Sequence, residues 1–147
     1  MADILLKIKQ LKKEGKIVGF TASTFELLHP GHIAMLSECK NFCDFLVVGI
    51  LTDPTISRPD TKNKPIQTTF ERFVQLQAVS YVDWIIPFDT EEDLEQMILL
   101  LKPNIRFVGE EYVNKNFTGY DIKDVEIFYN SRKHKYSSSE LRNRLKR

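Results

Sequence analysis

A doubly wound α/β fold, an open parallel sheet of about five strands with flanking helices, is what this 147-residue sequence predicts, and three observations carry the prediction. Short apolar runs alternate with longer amphipathic segments, the pattern of parallel strands joined by crossover helices. Several of the longer segments open on helix start signals: Thr69 before Glu71 and Arg72, Thr90 before Glu91, Glu92 and Asp93, and Ser137 three residues before Glu140. With 42% apolar and 28% charged residues, the chain has the composition of an ordinary globular domain able to bury a core. The expected organisation is one domain over 1–147, with an extra N-terminal helix in 1–14 and the core in 17–145.

The N-terminal element is a helix over 3–14. Ile4, Leu5, Ile8 and Leu11 form an apolar stripe at helical spacing among lysines, and Gly15 stops it. Packing on the sheet is favoured for the stripe over a dimer contact or a membrane surface. Strands are expected near 16–21, 45–51, 84–88, 105–109 and 125–130, and the later helices near 31–42, 69–80, 91–101 and 137–146. Cys39 and Cys43 fall four apart on a helix, roughly 6 Å apart along its axis, a poor geometry for a disulfide. With no signal peptide, lipidation motif or spanning apolar run, a reduced cytoplasmic setting is expected, with no membrane contact. Twenty-one basic against twenty acidic residues give a net charge of +1, which argues against nucleic-acid binding through a general basic field.

His29-Pro30-Gly31-His32 sits where the first strand hands over to a helix. Proline has a pre-set φ and lacks an N–H that the first helical turn could not use, so Pro30 takes the first helical position, His29 the cap and His32 the first turn. A helix start offers unpaired N–H groups and a partial positive charge to phosphate, and Gly31 lets a bulky anion approach. The plain alternative is that His29 only caps the helix and His32 lies on the surface.

From Phe20 to His32 the chain reads Phe-Thr-Ala-Ser-Thr-Phe-Glu-Leu-Leu-His-Pro-Gly-His. This resembles the signature of the cytidylyltransferase-like nucleotidyltransferases, usually Gly-Thr-Phe-Asp followed by Leu-Leu-His-x-Gly-His. The resemblance continues in register. Val82-Asp83-Trp84-Ile85 is similar to the family's Val-Asp-x-Val strand entry. Phe107-Val108-Gly109-Glu110-Glu111-Tyr112 resembles the Gly-Asp-Asp-Trp stretch of glycerol-phosphate cytidylyltransferases. Arg132 through Ser139 is similar to Arg-Thr-x-Gly-Ile-Ser-Thr-Thr. The matches cover 17–145 and imply a Rossmann-like fold, with ligands beyond the carboxyl ends of the strands at the topological switch point.

The resemblance implies attack of a phosphate monoester on the α-phosphorus of a nucleoside triphosphate, expelling pyrophosphate. The nucleophile is already anionic, so positioning and charge stabilisation carry the catalysis. The residues it implies for that work are His29, His32, Arg132 and a loop lysine, Lys62 or Lys64. Nucleotide binding would fall to Thr24, Phe25, Gly31, Gly109, Glu110, Ser137, Ser138 and Ser139, and acceptor binding to Glu26 and Arg72. Magnesium would come with the triphosphate. A protein metal site is not expected, because no third ligand lies near the histidines and a helix N-terminus disfavours a cation.

Each of these positions has a structural alternative. The 52–69 loop is too long for an ordinary crossover connection, yet its lysines could simply be solvated. Arg72 could form an ion pair with Glu71 or Asp53, Glu110 and Glu111 could be loop acids near Lys115, and Ser137 could be an N-cap. His134 reads as a loop residue. An acid at Glu110 or Glu111 would accept from an exocyclic amino group, which both cytosine and adenine carry.

Three functions follow. One is CMP transfer from CTP to a small phosphorylated alcohol, glycerol 3-phosphate first, giving CDP-glycerol. The second is an ATP-using adenylyltransferase on a sugar phosphate, similar to the heptose-phosphate enzymes. The third is a nucleotide-binding module without turnover, motivated by Ser23 and Glu26, which stand where the family usually has Gly and Asp. A serine forced to φ > 0 would be strained, and a longer carboxylate would reshape the substrate or metal pocket. Family members lead to the expectation of a homodimer.

Overall fold

The computed structural model describes residues 1–132 and 134–146; Lys133, in the last of the matched segments, lies outside them. In chain order the elements are α1 (Ala2–Lys13), β1 (Val18–Ser23), α2 (Pro30–Asn41), β2 (Phe45–Leu51), α3 (Thr69–Gln77), β3 (Trp84–Phe88), α4 (Glu91–Leu101), β4 (Ile105–Gly109), a single 3-10 turn (Glu110–Tyr112), β5 (Glu126–Asn130) and α5 (Ser138–Leu145). The five strands are all parallel, in the order β3-β2-β1-β4-β5. The chain winds outward from β1 to β3, then returns to place β4 on the other side of β1. The switch point therefore lies between β1 and β4.

β2 is apolar along its whole length because it is central and covered on both sides. Leu46, Val48 and Ile50 turn to a core built with Leu36 and Cys39 of α2, Leu76 of α3 and Phe107 of β4. Val47 turns the other way, to a core built with Val18 and Phe20 of β1, Ile4 and Ile8 of α1, and Leu94, Met97, Ile98 and Leu101 of α4. Three layers result, and α1 packs on the sheet. Both cysteines are free thiols in or beside the core, and burial pushes Cys39 up to about 12 and Cys43 to about 11.

Most boundaries fall within one residue of expectation; β1 and the end of α3, at Gln77 rather than near 80, differ by more, and the cap of α3 shifts by one residue. β1 runs two residues later than the apolar run suggested, because pairing begins where the Asn104 side chain accepts the Val18 N–H and Val18 meets Phe45. α3 begins one residue after Thr68, which accepts from the Glu71 N–H while the Glu71 side chain accepts from the Thr68 N–H. Thr69 is thus the first helical residue, not the cap.

No described residue of β1 has a positive φ, so Ser23 carries none of the strain anticipated for it. The strain lies just beyond, at Phe25 (φ 53°) and Leu27 (φ 51°). Non-glycine residues adopt this left-handed region at a cost of about 1–2 kcal/mol each and cluster at functional turns.

Candidate active site

Packing over-determines that turn. Phe25 is buried at 1% exposure. The Leu27 N–H donates to the Gln67 side chain at 2.8 Å, and the Ser138 hydroxyl to the Glu26 carbonyl at 2.6 Å. The Glu26 carboxylate, 5% exposed, accepts from the N–H groups of Ile66 and Gln67 and from the Arg142 guanidinium at 2.8 Å. Glu26 therefore ties three elements together: the β1–α2 turn, the end of the 52–68 loop, and α5.

Arg72 plays a matching part. Only 1% exposed, it donates to the carbonyls of Thr24 (2.9 Å), Leu51 (2.6 Å), Thr52 (2.6 Å) and Gln67 (3.3 Å). These carbonyls lie at the ends of β1 and β2 and just before α3. Neither Glu26 nor Arg72 lines the cleft above them, although the family resemblance implies both for acceptor binding.

That cleft, of about 1070 Å³, opens over the carboxyl ends of the strands at the β1/β4 switch point. Thr24, the first turn of α2, Gly109 and the start of α5 meet there, so the segments expected to bind nucleotide converge from across the sequence. Lys62 reaches the rim from the exposed 52–68 loop, which the Arg58–Glu91 ion pair (2.7 Å) fastens to the start of α4. Arg132, Ser137 and Ser138 line the opposite side. Lys64, Phe25, Glu110 and Ser139 do not line it. In place of Glu110, Glu111 enters: its carboxylate folds over Gly109, 2.3 Å from where a Cβ would be.

At the start of α2 the two histidines form a reciprocal cap. The Nδ1 of His29 accepts from the Gly31 N–H (3.0 Å), and the Nδ1 of His32 accepts from the His29 N–H (3.2 Å). The rings lie 3.9 Å apart between centroids, and Phe25 backs His32 at 5.5 Å. A ring nitrogen that accepts carries no proton, so the neutral imidazoles hold theirs on Nε2. Burial, with the neighbouring imidazoles of His29 and His134, pushes His32 down to about 3. Burial, then His134 and Arg132, lower His29. Both are neutral N–H donors near pH 7.

A third imidazole, His134, lies in the loop between β5 and α5, as expected, and lines the cleft. The Cε1 of His134 lies 2.7 Å from the position of a Gly31 Cβ, as does the Cε1 of His29. Its presence in the Arg132–Ser139 segment, already placed at a phosphate seat, was the one available signal. Among the described residues, no group of three or more His, Cys, Asp or Glu is arranged to hold a metal ion. The site presents donors to an anion: imidazole N–H groups, hydroxyls, and the N-termini of α2 and α5.

Comparison with known proteins agrees with this architecture. The chain is 36% identical to bifunctional protein HldE of Caulobacter vibrioides over 76% of its length, and 34% identical to bifunctional protein HldE of Nitratiruptor over 85%. It spans about a quarter of the length of these relatives, 23% and 27% respectively. A solved lipopolysaccharide core biosynthesis protein from Thermoplasma volcanium superposes with a TM-score of 0.67 at 27% identity, covering 82% of this chain and all of that one. Pantothenate synthetase of Thermus thermophilus shares the fold at 16% identity, with a TM-score of 0.62 over 93% of this chain and 68% of its own. The cytidylyltransferase-like family model matches residues 20–144, from the β1 strand through the last helix, and the chain belongs to that family of nucleotidyltransferases.

Proposed function

We propose that this cleft transfers a nucleoside monophosphate from a magnesium-bound nucleoside triphosphate to the phosphate of a small polyhydroxy acceptor, with ATP and a sugar phosphate as the favoured pair. The observation that carries the reading is the meeting of two helix N-termini with neutral imidazole donors in one cleft. Magnesium enters as part of the substrate, held by the phosphates.

An oxygen of the acceptor's phosphate attacks the α-phosphorus, forming the new P–O bond as the bond to the β-phosphate oxygen breaks and pyrophosphate leaves. That oxygen is already anionic near pH 7, so no proton must be removed. His29 and His32 are suited to donate hydrogen bonds to the α-phosphate as charge builds there; a His32 held down to about 3 is no acid. Arg132 can fork onto the outer phosphates and Lys62 can neutralise them. Ser137, Ser138 and the N–H groups of α5 form the second phosphate seat.

The sugar-phosphate acceptor is supported by the Thermoplasma relative, a lipopolysaccharide core biosynthesis protein, and by the HldE relatives. A second reading, CTP with glycerol 3-phosphate, is favoured by Gly109-Glu110-Glu111-Tyr112. The carboxylate of Glu111 over Gly109 would accept equally from the amino group of adenine or cytosine. Pyrophosphate release with ATP and CTP crossed against sugar phosphates and glycerol 3-phosphate tests both. Turnover with ATP and one sugar phosphate is expected, turnover with CTP alone selects the second reading, and nucleotide binding without turnover in any pairing contradicts both.

A further inference from the structure

His134 reaches the seat from the far end of the chain, and its geometry repeats that of the two histidines at the start of α2. Its Nδ1 accepts from the Tyr136 N–H at 3.2 Å, as the Nδ1 of His29 accepts from Gly31 and that of His32 from His29. All three rings are thereby fixed as the same tautomer, with the proton on Nε2. Among the described residues none of these Nε2 groups has a partner, and no buried side-chain polar atom is left without one, so all three Nε2–H donors are open to solvent. All three residues line the same cleft. His29 and His134 bracket Gly31, each with its Cε1 2.7 Å from the Cβ that glycine lacks, and the Tyr136 ring stacks on His134 at 5.4 Å.

We propose that His134 is a third phosphate-binding imidazole of this site, donating its Nε2–H to the polyphosphate of the bound nucleotide alongside His29 and His32. The ligand it recognises is a polyphosphate, whichever base is attached. This rests on the reading of the cleft as a nucleoside triphosphate site. Arg132, two residues earlier, brings positive charge to the same group. The bonds that hold His134, the Tyr136 N–H and the stacked ring, belong to its own short segment, so its orientation is set before any ligand arrives.

The competing account is that His134 only closes its own turn by accepting from Tyr136. Two isosteric substitutions separate the accounts: His134→Asn keeps an acceptor near the Nδ1 position without a donor at Nε2, and His134→Gln puts an amide N–H near Nε2 without the acceptor. Calorimetric titration of the full chain with magnesium tripolyphosphate and magnesium ATP, with kcat and KM, reads the difference. His134→Ala and His134→Asn should weaken both ligands by about tenfold, the scale of one hydrogen bond to a charged group, while His134→Gln stays within about threefold of the native chain. Native-like binding by His134→Ala, or rescue by Asn but not Gln, overturns the assignment. Tripolyphosphate binding that obeys this pattern in a chain with no turnover would sustain His134 and remove the transferase reading; a native chain that binds neither ligand removes both.

Discussion

Gly31→Ala should cost turnover while leaving the fold intact. Gly31 lies in the first turn of α2 with an ordinary negative φ, so its reason for being glycine is space. An added Cβ would sit 2.7 Å from the Cε1 of both His29 and His134 and 2.9 Å from the His29 Nδ1. Contacts relax at 3.4 Å, so each ring must give way by 3.4 − 2.7, about 0.7 Å. The rings are side-chain ends and can move, and alanine in a helix gains roughly 0.5–1 kcal/mol over glycine. The fold should therefore hold, with a melting temperature within a few degrees of native. Displacement approaching 1 Å of groups that position a reacting phosphate costs about 10²-fold. Pyrophosphate release by Gly31→Ala should fall by about that factor while circular dichroism and melting stay native. Turnover within about threefold of native would refute the crowding argument.

Three further perturbations separate scaffold from site. Arg72→Leu should destabilise the chain by about 3 kcal/mol or more in urea, since it strips a charged donor from four carbonyls; native stability with weakened acceptor binding would return Arg72 to the substrate. Arg132→Ala should weaken nucleotide binding and turnover together at unchanged stability, and unchanged nucleotide affinity in calorimetry would remove it from the phosphates. Acid should destabilise the free protein through His32. Folded, it titrates at about 3 against an ordinary value of 6.5, so between those values the unfolded chain binds a proton that the folded chain does not. Stability is whole above about pH 6.5 and falls by up to about 1.4 kcal/mol per unit as the pH drops toward 3. Denaturation at pH 7.5, 6 and 5 reads the slope, His32→Asn should flatten it, and an equal slope in that variant contradicts the assignment.

Local chemistry in the sequence was enough for much of the fold. β2, β3, β4 and α4 lie where their apolar runs and Thr90 put them, and His29, Pro30 and His32 take the cap, first and third helical positions. What it could not resolve was which polar groups face a ligand. Glu26 and Arg72 hold family-like positions, but their buried ends meet backbone groups from segments some 40 and 20–48 residues away, a pairing without any local signature. Glu111 rather than Glu110 enters the cleft because a one-turn 3-10 helix sets the phase of two adjacent identical residues. His134 comes to Gly31 only through the β4–β5 pairing and the path of the chain into α5.

Direct displacement at the α-phosphorus by an acceptor phosphate can be followed by phosphorus NMR of the native chain with magnesium ATP and a sugar phosphate. Pyrophosphate and the paired resonances of a nucleoside-diphosphate ester should grow in equal amounts, and only when acceptor is present. Pyrophosphate formed without acceptor, or a chain that binds nucleotide yet forms no such ester with any acceptor or with CTP, would contradict it.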